Sequence, residues 1–207
     1  MRKASRNRST KRVGPGARFN ARGPRALLFA VLLVTASRVP PTVEAESSAT
    51  GEYEVKAAFL FHFAQFVEWP PEAFKEADSP LTYCTVGEDA FRGALDESVK
   101  GKRIGNRLLR VRHLGEQEPI DGCQVLFIAG VHKMRQTDEL ATVRGRPVLT
   151  VGETEQFVQD GGIIGFLLVE KKVRFEINLE SAEKSGLKIS AKLLALAKTV
   201  VGSSRGN

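Results

Sequence analysis

Several kinds of chemistry lack their signatures in this chain. Neither a G-x-G-x-x-G nor a P-loop occurs, so nucleotide binding does not follow from motif. The three histidines, His62, His113 and His132, lie far apart and without metal-type spacing, so no metal site is expected. His62 falls on a stretch crowded with aromatics and reads as a core or boundary residue. Long hydrophobic runs are missing too. Ala26 to Ala36 is 11 residues, interrupted only by Thr35, too short for a comfortable membrane span. Cysteine is scarce: there are two, Cys84 and Cys123, 39 positions apart.

What precedes residue 46 reads as a targeting segment. Arg2, Lys3, Arg6, Arg8, Lys11, Arg12, Arg18, Arg22 and Arg25 form a basic region without an acidic residue. The apolar run follows, and Val43-Glu44-Ala45 places small residues at −3 and −1 of a cut before Glu46. This is a secretory signal pattern, with an uncleaved anchor as the alternative. Residues 1–45 carry ten basic and one acidic residue, a net of +9, which leaves −2 for the other 162 out of the whole chain's +7. The basic balance therefore belongs to the leader, and nucleic acid is not an expected partner. Residues 46–207 suffice for one domain with a proper core. In an exported protein an even cysteine count suggests a disulfide, with two buried free thiols as the alternative.

The middle of the chain alternates strands and helices. Glu52 to Val67 predicts a helix with Val55, Phe59, Phe63 and Phe66 on one face, stopped by Trp69-Pro70-Pro71. Strands are expected at 81–86, 108–111, 124–129 and 147–151, with helices from Asp89 to Val99, from Val131 to Val143 and near Glu155 to Gln159. Gly161-Gly162 then opens a strand, 163–169. Glu170-Lys171-Lys172 makes a turn, and 173–177 alternates apolar and charged residues. Asn178 stands at a helix N-cap, Gly186 at its end and Ser190 at a second N-cap, with Ile189 and Leu194 placed to staple it. Ile189, Leu193, Leu196 and Val200 recur at helical spacing. The pattern predicts an α/β fold, a three-layer αβα sandwich. Its mostly parallel sheet runs in the order 2-1-3-4-5, closed by a C-terminal antiparallel hairpin strand at the edge. In that order Cys84 and Cys123 sit on neighbouring strands, within reach of a bridge.

Gly87, Gly130 and Gly152 each end a strand and place three turns at the carboxyl edge of the sheet, where open α/β folds bind ligands. Asp89, Glu153 and Glu155 sit near those turns as an acid–base candidate, but no histidine partner and no nucleophile elbow stands beside them. Lys188 and Lys192 flank Ser190 near a helix start. No catalytic constellation or cofactor motif emerges.

Several stretches together carry a family likeness. They are Tyr53-Glu54-Val55-Lys56-Ala57-Ala58-Phe59-Leu60 with Phe63 and Phe66-Val67-Glu68-Trp69-Pro70; Val148-Leu149-Thr150-Val151-Gly152; Gly161-Gly162-Ile163-Ile164; and Arg174-Phe175-Glu176-Ile177-Asn178-Leu179 with Gly186-Leu187-Lys188-Ile189-Ser190 and Leu193-Leu194. Over about residues 52–201 the chain resembles the YfiR-like periplasmic regulators. The resemblance implies a non-enzymatic regulator that represses a membrane-bound diguanylate cyclase by binding its periplasmic domain and is sequestered by an outer-membrane lipoprotein. Cys84 and Cys123 match one family cysteine pair. A second pair of some relatives has no counterpart here, which favours a structural bridge. The resemblance also places a small-ligand site at Lys188 and Ser190, the latter standing where a histidine is expected. The leading expectation is thus a periplasmic regulator whose partner is an inner-membrane cyclase or sensor kinase. A periplasmic small-molecule module and a hydrolase built on Asp89 and Glu153 are the alternatives. A homodimer is left open.

Overall fold

The computed structural model describes residues 44–87, 91–115, 118–130 and 133–202. Helix α1 (Glu44–Gln65) leads into a short strand β1 (Val67–Glu68) and a 3-10 turn at Pro71–Ala73. There follow β2 (Leu81–Val86), α2 (Ala94–Val99), β3 (Arg103–Ile104), β4 (Arg107–Leu114), β5 (Val125–Ile128), α3 (Lys133–Thr142) and β6 (Leu149–Gly152). The chain closes with β7 (Ile164–Val169), β8 (Lys172–Asn178), α4 (Leu179–Lys184), β9 (Lys188–Ile189), α5 (Ala191–Leu196) and β10 (Thr199–Val201).

Eight strands form one sheet in the order β10-β8-β7-β6-β5-β2-β4-β3. From β4 through β7 every neighbouring pair is parallel. Central strands covered on both faces need apolar side chains throughout, and every residue of β2, β5 and β6 is buried. On one face α1 and α2 set Ala57, Leu60, Phe63, Leu95 and Val99 against Tyr83, Phe127, Val151 and Phe166. On the other, α3 and the following loops set Leu140, Val143 and Phe157 against Cys84, Val86, Leu126 and Ile128. Aromatic rings bind α1 to the hairpin: Phe63 meets Phe175 edge-on at 4.9 Å and stacks on Phe166 at 5.7 Å.

The local chemistry explains the joints. Glu170 and Lys171, both at positive φ (49° and 61°), form the two-residue loop between Val169 and Lys172. That is the primed turn whose twist matches a hairpin. The Asn178 side chain accepts the Ser181 N–H at 2.9 Å and caps α4, while its amide donates to the Val158 carbonyl at 2.8 Å. Gly186, at φ 70°, ends that helix and lets Leu187 N–H bond back to the Ala182 carbonyl.

Five expectations are corrected. The stretch 155–159 is a run of turns, not a helix. It delivers the buried Phe157 ring between two glycines, where a Cβ on either Gly152 or Gly162 would lie 2.2 Å from a ring carbon. Those two glycines serve close approach. The apolar stripe ending at Val200 is split: α5 stops at Leu196, and Val200 belongs to β10, parallel to β8. The backbone of β8 gains more from a strand partner than Val200 gains from one more helical turn, and Leu196 is left 61% exposed. The hairpin strand β8 is consequently not the sheet edge. Helix α2 begins after Gly93 and not near Asp89, which lies outside the described residues, as does His132. The strand expected at 108–111 extends over Arg107–Leu114 and carries its own short hairpin partner, β3.

Candidate functional site

The carboxyl edge of the sheet holds a buried polar cluster. Helix α1 presents Glu52, Tyr53 and Lys56 on one face, because residues three and four apart stack along a helix. The end of β6 presents Glu153, and the end of β5 presents the Gly130 N–H. The Lys56 ammonium, only 5% exposed as a residue, lies 2.6 Å from Glu153 Oε2 and 2.6 Å from Glu52 Oε1. Glu153 also accepts from the Tyr53 hydroxyl at 3.0 Å and from the Gly130 N–H at 2.9 Å. The ammonium stands 4.4 Å from the centroid of the Tyr53 ring. Burial, and after it the charge of Glu153, pushes the Tyr53 hydroxyl up, so it stays a proton donor at any physiological pH.

This arrangement decides what Glu153 does. Its two oxygens accept from three donors, on α1 and on the loop after β5, so the carboxylate fastens α1 to two sheet loops. Glu155 is exposed on the adjoining turn and is not joined to it. Among the described residues no group of three or more His, Cys, Asp or Glu is placed to hold a metal ion.

A second row of polar groups lies under α2. The Thr85 hydroxyl is 2.9 Å from His113 Nδ1, and His113 Nε2 is 3.1 Å from the Asp96 carboxylate. With the neutral ring, the carboxylate selects the Nε2–H tautomer, and Nδ1 accepts from Thr85. Sequence spacing had not joined these three residues. His62 is exposed, correcting its expected core or boundary placement: Leu60 and Phe63 take the inner face of α1, and the imidazole turns to Gln65.

Cys84 on β2 and Cys123, just before β5, form a disulfide with Cα atoms 5.8 Å apart, and both residues are buried. Lys188 pairs across from Glu68 in the two-stranded β1–β9 ladder and is exposed. The Ser190 hydroxyl accepts the Leu193 N–H at 3.3 Å as the cap of α5, and its N–H donates to the Phe66 carbonyl at 2.9 Å. Lys192 reaches over the Phe66 ring at 5.1 Å. These residues adjoin each other but not the Lys56–Glu153 cluster at the opposite end of α1.

A model of the YfiR/HmsC-like family matches residues 53–198. The chain belongs to the YfiR/HmsC-like family. The match begins at Tyr53, the ring that caps the buried cluster, and ends just before β10. Among solved structures, this YfiR/HmsC-like chain is similar to a conserved domain protein from Vibrio cholerae O1 biovar eltor, with TM-score 0.50 and 11% identity. That alignment covers 72% of this chain and 60% of the other. It also matches an ABC domain in complex with L-Trp from Streptococcus pneumonia, with TM-score 0.43 and 9% identity, over 74% of this chain and 60% of that one. The chain thus spans about three fifths of either structure's length, and the first likeness is one of fold.

Proposed function

We propose that this protein is a non-enzymatic periplasmic regulator that binds and represses a membrane-bound signalling protein, a diguanylate cyclase. The family match over residues 53–198 carries the reading. The Cys84–Cys123 bridge supports it, since disulfides persist in oxidising compartments. In this reading residues 1–45 are a signal peptide and residues 46–207 form the mature domain. An outer-membrane lipoprotein is the competing partner that relieves repression. The Lys56–Glu153 network fixes α1 on the sheet. Lys188 and Ser190 are the positions for a small ligand.

Repression requires tighter binding to the inactive state of the cyclase than to the active one. The test is capture of detergent-solubilised inner-membrane proteins on the purified chain. Recovery of a protein with a periplasmic sensor domain and a cyclase domain is the expected result. Recovery of none overturns the proposal.

A further inference from the structure

The β3–β4 edge of the sheet is basic. From Lys100 to His113 the sequence holds six Lys and Arg residues and no Asp or Glu, in a domain that nets −2. Lys100 pairs with Glu97 and His113 with Asp96. Arg103, Arg107 and Arg112 direct their guanidinium groups to backbone carbonyls, and among the described residues no carboxylate pairs with them. Arg110 is exposed on the strand.

The backbone of the same strand is half used. Strand β4 pairs with β2 from Leu109 to Leu114, but with β3 only at Arg107 and Leu108. Leu109 N–H donates outward, to the Lys102 carbonyl. Strand hydrogen bonds alternate sides, so Val111 and His113 aim their N–H and C=O groups to that same outer side. No described residue pairs with them there.

We infer that this edge takes an extended acidic segment of a partner protein as an added strand alongside β4. The inference deepens the regulator reading by naming the surface and the chemistry of the partner. Charge alone would fit any polyanion. The row of alternating donors and acceptors does not: a phosphate or a lipid headgroup presents no such row at strand spacing, while a peptide strand does. Cross-strand carboxylates would reach the exposed arginines at alternate positions.

The test uses the purified protein and a blocked octapeptide of alternating glutamate and valine. The controls are the same peptide N-methylated at alternate residues, and vesicles containing anionic phosphatidylglycerol. Amide NMR should show shifts and slowed exchange at Val111 and His113. Affinity should fall at least tenfold with the N-methylated peptide, and by a similar factor in Arg110→Glu and Arg103→Glu. The N-methylated arm leaves the protein untouched, so it decides even if a variant folds poorly. Equal binding of both peptides, shifts away from β4, or binding of vesicles alone would overturn the inference. Absence of binding at millimolar peptide would do the same and leave the charges as guards against edge-to-edge aggregation. Capture of a cyclase by Arg110→Glu as well as by the unaltered chain would also overturn it, with the regulator reading intact. If the unaltered chain captures no cyclase while the peptide binds at β4, the regulator reading falls and the acidic-strand edge stands.

Discussion

Lys56 is the residue whose role depends most on the fold. In the sequence it is the single Lys or Arg of α1. Its partner Glu153 is 97 positions away, so no local pattern can reveal the pair. Glu153 was legible as an acidic residue at a carboxyl-edge turn; the three donors it accepts from were not. Removing one partner of a buried ion pair strands the other charge. Lys56→Ala is therefore expected to cost about 3–5 kcal/mol, read by urea unfolding. Lys56→Met with Glu153→Gln together should cost less than Lys56→Ala alone, because only the more exposed Glu52 then loses its partner. A loss under ~1 kcal/mol for Lys56→Ala would contradict the clamp. Tyr83 makes the opposite case. Its hydroxyl is buried without a partner among the described residues, and burial pushes its ionisation up. Tyr83→Phe should leave stability unchanged or raise it by about 1 kcal/mol, since an unsatisfied group is lost and no bond is broken.

At the scale of elements, what could be read in the sequence was what depends on local pattern. The apolar runs of β2, β5, β6 and β7 gave strands, and Asn178 and Ser190 stand at the N-caps their side chains predict. What could not be read is decided by distant neighbours. Val200 satisfies a helical period, yet the open flank of β8 draws it into β10. The stretch around Phe157 carries helix-compatible residues, yet the ring's seat between Gly152 and Gly162 requires turns. That seat is testable. Gly162→Ala should destabilise by about 1–3 kcal/mol through overpacking. Shrinking the ring in Phe157→Leu should recover part of that loss in the double variant, a non-additivity measured by a thermal unfolding cycle. Strict additivity would show that the glycine does something else.

For the whole molecule, two layers of helices share one sheet, and the disulfide joins adjacent central strands on the α3 side. It closes a loop of 39 positions, for which chain entropy gives up to about 4 kcal/mol. Reduction should lower the melting temperature of the intact chain. Equal melting with and without reductant would show that the bridge does not stabilise the fold. The carboxyl edge, closed by Lys56 and Glu153, and the basic β4 edge lie on different parts of this frame. The first holds α1 in place, and the second offers unpaired backbone. That division of labour suits the proposed regulator.

The most direct measurement of the account is a binding titration between the purified chain and the detergent-solubilised cyclase recovered with it, with cyclic-di-GMP production followed in the same samples. The account predicts saturable binding that lowers the cyclase rate and is weakened by Arg110→Glu. A cyclase whose rate is unchanged at saturating amounts of this protein would contradict it.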